Sequence, residues 1–279
     1  MDKLFRLKTR EQLAIQVLLV AYAFVVIAPL AVAFFNSFKE LGQVYRDPFG
    51  LPDTLSWSNY VEAWTQASFG IYFRNSAIVA AASVFFTLFF GSMAAYVLAR
   101  YEFRGSKLVF VLFLTGLAIP LRIAVIPLHV LMRELGLLDS LVGLVLVYVA
   151  SSLPFAVFVL ASFFRGINRE IEDAARVDGA TPFQIYRIVI LPLIKPALAT
   201  VGIFTFVSVW NDFFFPLIFI TSDHLRTLPV GLSVFFSEFS IQWHLLFAGL
   251  IIMMLPTIVA FLLASRSFVQ GLTMGAVNE

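Results

Sequence analysis

Six apolar runs, at residues 13–35, 71–99, 108–130, 141–164, 193–220 and 245–268, alternate with shorter polar breaks. Each reaches the roughly 20 residues that a helix needs to cross about 30 Å of hydrocarbon. A helix satisfies its own backbone hydrogen bonds in lipid, so the pattern predicts an all-α integral membrane protein with six transmembrane helices. Pro29, Pro120, Pro127, Pro154, Pro196, Pro216 and Pro256 fall in or near the runs and mark expected kinks. The first run exceeds the roughly 7–15 apolar residues of a secretory signal. That favours a retained anchor over a cleaved leader, despite the triplet Ala31-Val32-Ala33.

The break between the fourth and fifth runs has its own order. Ile171, Ala174, Ala175 and Asp178 recur at helical spacing, while Glu170, Glu172, Asp173 and Arg176 supply charge. Asp178-Gly179 ends this helix, because glycine tolerates the left-handed conformation. Thr181-Pro182-Phe183-Gln184 begins another, with Thr181 as N-cap, Pro182 in the first helical position and Gln184 as the capping-box acceptor. Leu191-Pro192 is the expected stop. Phe183, Tyr186 and Ile190 then form an apolar edge that needs cover. The segment reads as an ordered hairpin; a dock for a soluble partner and a surface packed on the chain's own spans both remain open.

Composition supports the membrane reading: 61% of the 279 residues are hydrophobic, 13% are charged and the mean hydropathy is +0.94. The absence of cysteine excludes disulfides and thiolate metal sites, and His129, His224 and His244 make no metal-binding spacing. Lysine and arginine set the orientation. Thirteen lie on the side of the termini and the hairpin, five on the other, and Arg122 lies within a run. This bias predicts cytoplasmic N- and C-termini. Trp57, Tyr60 and Trp64 in the outward loop 36–70 read as an interfacial aromatic belt. The chain lacks a G-x-x-x-x-G-K-[ST] phosphate loop, so it is not an ATPase by that route.

Asp212 is the most unusual residue inside a run, since a charge near mid-bilayer costs about 2.5–3.5 kcal/mol on insertion scales. Trp210, Asn211 and Phe213 beside it offer hydrogen-bonding groups next to aromatic faces. A solute path and a purely structural cap before Pro216 are the two readings. Arg122 reads as a snorkelling cation able to pair with an acid.

The motif residues Ala174, Ala175, Asp178, Gly179, Ile190, Leu191 and Pro192, with Asp173 in place of the usual glutamate, resemble a known family. It is the inner-membrane permease subunits of ATP-binding-cassette importers, of the carbohydrate-uptake type related to the maltose permease. Tyr72-Phe73-Arg74-Asn75-Ser76, Leu153-Pro154-Phe155, Trp210-Asn211-Asp212-Phe213, Thr227-Leu228-Pro229-Val230-Gly231-Leu232 and the tail Gly271–Val277 extend the resemblance over nearly the whole chain. It implies a type I importer permease fold in three parts: 1–70, an anchor and outward loop; 71–268, a five-helix core with a coupling hairpin at 168–192; and 269–279, a flexible cytoplasmic tail. Glu172, Asp173, Ala174, Ala175, Asp178 and Gly179 are implied to meet an ATP-binding-cassette ATPase dimer. Trp210, Asn211, Asp212 and Phe213 are the candidate path residues. The implied partners are that ATPase, a second and different permease subunit, an extracytoplasmic solute-binding protein and the lipid bilayer, with no nucleic acid. The chain itself is expected to hold no cofactor and no metal and to catalyse nothing. A secondary transporter or channel would show coupled ionisable groups and often an inverted repeat, and the sequence displays neither.

Overall fold

The computed structural model describes residues 9–66, 68–236 and 241–276. The helices are, in order, α1 (Thr9–Asn36), α2 (Leu41–Arg46), α3 (Ser58–Gln66), α4 (Phe69–Arg100), α5 (Ser106–Ala118), α6 (Val125–Glu134), α7 (Leu141–Gly166) and α8 (Glu170–Val177). There follow α9 (Pro182–Gln184), a π-helical stretch Ile185–Ile190, α10 (Leu191–Leu193), α11 (Lys195–Trp210), α12 (Phe214–Phe219), α13 (Leu228–Gly231) and α14 (Trp243–Ala276). Among the described residues β pairing is limited to a single bridge between Phe236 and Ile241. The chain divides into two compact units, Met1–Ala67 with Leu232–Met254, and Ser68–Gly231 with Leu255–Glu279.

Among the described residues four helices are long and apolar enough to cross a membrane alone: Gln12–Asn36, Phe69–Arg100, Leu141–Gly166 and Trp243–Leu263. A fifth crossing exists if Pro182–Leu193 and Lys195–Trp210, bent by 77°, act as one. Two expected continuous runs are broken. The run 108–130 is α5 and α6, because Ile119 before Pro120 is extended (φ −83°, ψ 115°), the conformation that a following proline favours. The run 193–220 is α11 and α12, interrupted at Asn211–Phe213. The expected flexible tail is helical as far as Ala276, and residues 277–279 lie outside the described residues, as do Lys3, Arg6 and Lys8.

In the first unit, α1 exposes its apolar side chains from Leu13 to Leu30, a surface suited to hydrocarbon. The segment after it is not a loose loop. Lys39 is fully buried and donates to the Asp47 carbonyl at 2.6 Å; Asn59 donates to the carbonyls of Ser37 and Lys39. Phe38 packs edge-on against Trp57 at 4.9 Å and lies 5.3 Å from Tyr60. Burial raises the pKa of the Tyr60 phenol above its ordinary value, and its hydrogen bond with Ser37 offsets part of that. Trp57 and Tyr60 thus help fold this segment, whatever belt they also form.

The second unit is organised by α4 against α7. Ser83, Thr87, Gly91 and Ala95 recur every four residues on the buried face of α4. Small residues let two helices approach closely without any hydrophobic drive from lipid. At Gly91 the approach is so close that an added Cβ would sit 2.8 Å from the Ala156 Cβ. The start of α4 anchors a distant loop. Tyr72 donates to Asp223, Asn75 donates to the carbonyls of His224 and Arg226, and Ser76 accepts from the Leu228 N–H. Two of the sequence motifs, around Tyr72 and around Leu228, are therefore halves of one structural joint.

Candidate functional site

The hairpin forms as its punctuation requires. Asn168 accepts from the Glu170 N–H ahead of α8. Beyond α8, Gly179 has φ +84°, with its N–H on the Arg176 carbonyl and the Ala180 N–H on the Ala175 carbonyl, which is the paired closure of a Schellman turn. Thr181 and Gln184 make the reciprocal capping box: the Thr181 N–H donates to Gln184 Oε1 at 2.8 Å and the Gln184 N–H donates to Thr181 Oγ1 at 3.4 Å. Leu191-Pro192 does not stop the second helix. The chain passes through the π-helical stretch, where the Leu191 N–H reaches back to the Tyr186 carbonyl, and ends at Leu193. Proline lacks an N–H, and the wider turn takes up that missing link.

The six hairpin candidates separate into two groups. Asp173, Ala174, Asp178 and Gly179 are exposed and Ala175 is half-buried, whereas Glu172 is only 3% exposed. Its Oε1 pairs with Arg100 Nε at 2.6 Å and its Oε2 accepts from the Tyr96 hydroxyl at 3.3 Å. Arg100 also donates to the Ile167 carbonyl at 2.8 Å, joining the ends of α4 and α7. One turn back, Ser92 and the Tyr186 hydroxyl lie 2.7 Å apart. Ser92, Tyr96 and Arg100, spaced four apart, form a polar ladder on α4 that ties the hairpin to the span. Arg176 lies outside this buried pair, at 2.6 Å from Asp173 and 3.6 Å from Glu172.

The second centre lies at the break between α11 and α12. Asp212 is 9% exposed; its Oδ2 accepts from the Tyr148 hydroxyl at 2.8 Å and from the Phe215 N–H at 3.1 Å. Its Oδ1 is 3.5 Å from the Arg122 guanidinium, which projects from the α5–α6 break and stands over the Phe214 ring. These groups line a half-open cavity of about 380 Å³. Tyr148, Ser151, Ser152 and Phe155 face it from α7, and Phe204, Thr205 and Ser208 from α11. Each set follows one helical face, so hydroxyls and aromatic edges meet across the cavity.

Of the four path candidates, Asp212 alone lines this cavity. Trp210 is buried against Phe73 and Phe206, Asn211 donates to the Val207 carbonyl and caps α11, and Phe213 is exposed. Asp212 lies in the non-helical break, where its bonds to Tyr148 and Phe215 hold it at the cavity while its neighbours make other contacts. The detectable signal was hydroxyls at positions 148, 151 and 152 and at 205 and 208 within two otherwise apolar runs.

A membrane protein with a polar, aromatic-edged cavity between its helices, and an exposed hairpin hydrogen-bonded into them, belongs to the class of transport subunits. The chain belongs to the binding-protein-dependent transport system inner membrane component family, whose model matches residues 87–273. Among its relatives, the diacetylchitobiose uptake system permease protein NgcG of Streptomyces coelicolor is 36% identical over 260 residues, covering 92% of this chain and 86% of the relative. The melibiose/raffinose/stachyose import permease protein MelC of Bacillus subtilis is 34% identical, with 90% and 91% covered. A chain of a bacterial ABC transporter involved in import of the acidic polysaccharide alginate shares the fold with a TM-score of 0.84, at 24% identity and over 95% of this chain and 99% of that one. The protein is thus a permease subunit of an ABC importer.

Proposed function

We propose that this permease passes a sugar or sugar-like solute, handed over by an extracytoplasmic binding protein, through the cavity that Asp212 lines. The observation that carries the reading is the pairing of hydroxyl groups with aromatic edges around one carboxylate–guanidinium pair. Sugars present hydroxyls on their rims and C–H groups on their faces, and this lining matches both. Relatives whose names specify oligosaccharides support the solute class. In the same reading the chain crosses the membrane six times, with α5 and α6 forming one interrupted crossing. Its termini and the hairpin face the cytoplasm. The exposed residues Asp173, Ala174, Asp178 and Gly179 meet a separate ATPase dimer, and a second, different permease subunit completes the solute route.

The test exploits the absence of cysteine. Cysteine replaces Ser208, which is exposed and lines the cavity. The thiol is expected to react with a small water-soluble maleimide, faster or slower according to the nucleotide state and more slowly when solute is present. A thiol that stays unreactive in every state would place the route elsewhere.

A further inference from the structure

The loop between α4 and α5 and the end of α7 enclose an open cavity of about 640 Å³, separate from the one Asp212 lines. Arg104 and Lys107 enter it from one side and Arg165 and Arg169 from the other, with Glu102 as the one acidic residue lining it. None of the four cations has a carboxylate within ion-pair distance among the described residues. Arg165 is held in place by the Phe110 ring, whose centroid is 4.5 Å from the guanidinium carbon. The carbonyl of Ile167, at the end of α7, is already taken by Arg100, so these cations are not needed there.

A cytoplasmic excess of lysine and arginine accounts for the number of cations near these span ends. It does not account for two pairs about 60 residues apart in sequence converging on one cavity. It also does not account for what borders that cavity. Immediately beyond Lys107, α5 exposes Leu108 (64%), Val111 (49%) and Leu112 (60%), a continuous apolar strip along one helical face. Cations at the ends of three helices, with an apolar strip running from them into the span, match an amphipathic anion. A free phosphate would use only the first of these features.

We propose that this cavity holds the headgroup of an anionic glycerophospholipid. Its phosphodiester sits among Arg104, Lys107, Arg165 and Arg169, and an acyl chain lies along Leu108 and Leu112. Guanidinium groups bind phosphate oxygens through paired N–H donors, and basic pockets at helix ends are suited to such headgroups.

The experiment uses the full-length chain extracted in mild detergent, with native mass spectrometry counting bound lipid after addition of phosphatidylglycerol or phosphatidylcholine. Phosphatidylglycerol is expected to bind preferentially. Each basic side chain removed weakens binding about fivefold, so Arg104→Gln with Lys107→Gln lowers it roughly 25-fold. Arg104→Lys is expected to retain most of it. Leu108→Gln, which leaves every cation in place, supplies a second reading should the double variant fail to accumulate: it should lower phosphatidylglycerol binding without creating a preference for phosphatidylcholine. Equal binding of the two lipids, or binding unchanged in the variants, overturns the proposal. So does displacement by millimolar inorganic phosphate, which would make this a free-anion site. Loss of co-purifying subunits from the double variant at unchanged lipid binding would show instead that the patch docks a protein.

Discussion

Among the described residues two arginine–carboxylate pairs link segments far apart in sequence, and they differ in almost every physical respect. Arg100 and Glu172 meet at 2.6 Å with both side chains 4% exposed. Arg122 and Asp212 stand 3.5 Å apart, with the arginine side chain 71% exposed and the aspartate side chain 7%. The first is a closed joint: removing Arg100 leaves Glu172 buried with the Tyr96 hydroxyl and a longer contact to Arg176, and removing Glu172 leaves the Arg100 charge buried against the neutral Ile167 carbonyl. The second is open on one side, so its arginine can leave for a ligand while the Tyr148 hydroxyl and the Phe215 N–H still hold the aspartate. The same chemistry is thus sealed at the hairpin and open at the cavity, and burial makes the difference.

The largest effect should come from breaking the closed joint. Arg100→Met takes the closest cation from a buried Glu172, leaving it Tyr96 and the 3.6 Å contact to Arg176, and should cost about 3–5 kcal/mol, seen as loss of the subunit from the membrane and early unfolding in detergent. Adding Glu172→Leu should recover most of that stability. Uptake should stay impaired in the double variant, because the hairpin has lost its charged tie to α4 and keeps only the hydrogen bond between Ser92 and Tyr186. If Arg122→Gln destabilises the protein as much as Arg100→Met, the distinction between the pairs fails.

Gly179→Val comes next. Nothing lies within 4 Å of the position, so crowding is not the obstacle. The φ of +84° is, and forcing a β-branched residue there costs about 1–2 kcal/mol or rebuilds the turn. Uptake should fall tenfold or more with subunit abundance little changed. Wild-type uptake would show that the turn geometry is dispensable for coupling.

At the open pair, Asp212→Asn keeps an oxygen to accept from Tyr148 but removes the charge. Solute KM should rise several-fold with abundance nearly constant. Arg122→Gln should leave stability within about 0.5 kcal/mol, as expected of an exposed cation, and should shift KM as well. A fall in abundance with Asp212→Asn at unchanged KM would assign the residue to the fold alone.

The smallest effect concerns Asp139, outside both pairs. The Ser222 hydroxyl and N–H, together with the Thr221 N–H, hold its carboxyl below the usual aspartate range. A depressed folded-state pKa gives stability that is complete above the unfolded value and is lost as pH falls through the folded one. The detergent-solubilised protein should therefore lose a small increment of thermal stability on the acid side of pH 4, and Asp139→Asn should lose that increment at neutral pH. An identical acid profile in the variant would show that the loop contributes nothing.

What the sequence made legible was local. Gly179, Thr181, Pro182 and Gln184 act within a few residues of themselves, and the hairpin turn forms as their chemistry requires. The spans 71–99 and 141–164 are likewise visible because each is a continuous apolar run. The two arginine–carboxylate pairs bring together residues 72 and 90 positions apart, and no local pattern announces them. Asp212 stood out by its cost, but its partners Tyr148 and Arg122 come from a different helix and a helix break. The interruption at Ile119–Ala124 was foreshadowed by Pro120 yet hidden by uniformly apolar composition. Trp210, Asn211 and Phe213 were grouped with Asp212 through sequence adjacency, but the helix ends between them and each side chain takes separate partners.

The π-helical stretch Ile185–Ile190 has a consequence of a geometric kind. A π turn carries more residues per turn than an α turn, so this element holds spare chain within its own length. Tightening it to α geometry would turn everything downstream by roughly 100° and shift it by about 1.5 Å, without breaking any covalent or capping constraint at Thr181. Immediately beyond it lies the 77° bend into the helix that carries Thr205, Ser208 and, at its end, Asp212. The connection from hairpin to cavity is therefore built less like a rod than like a screw thread with one residue left slack.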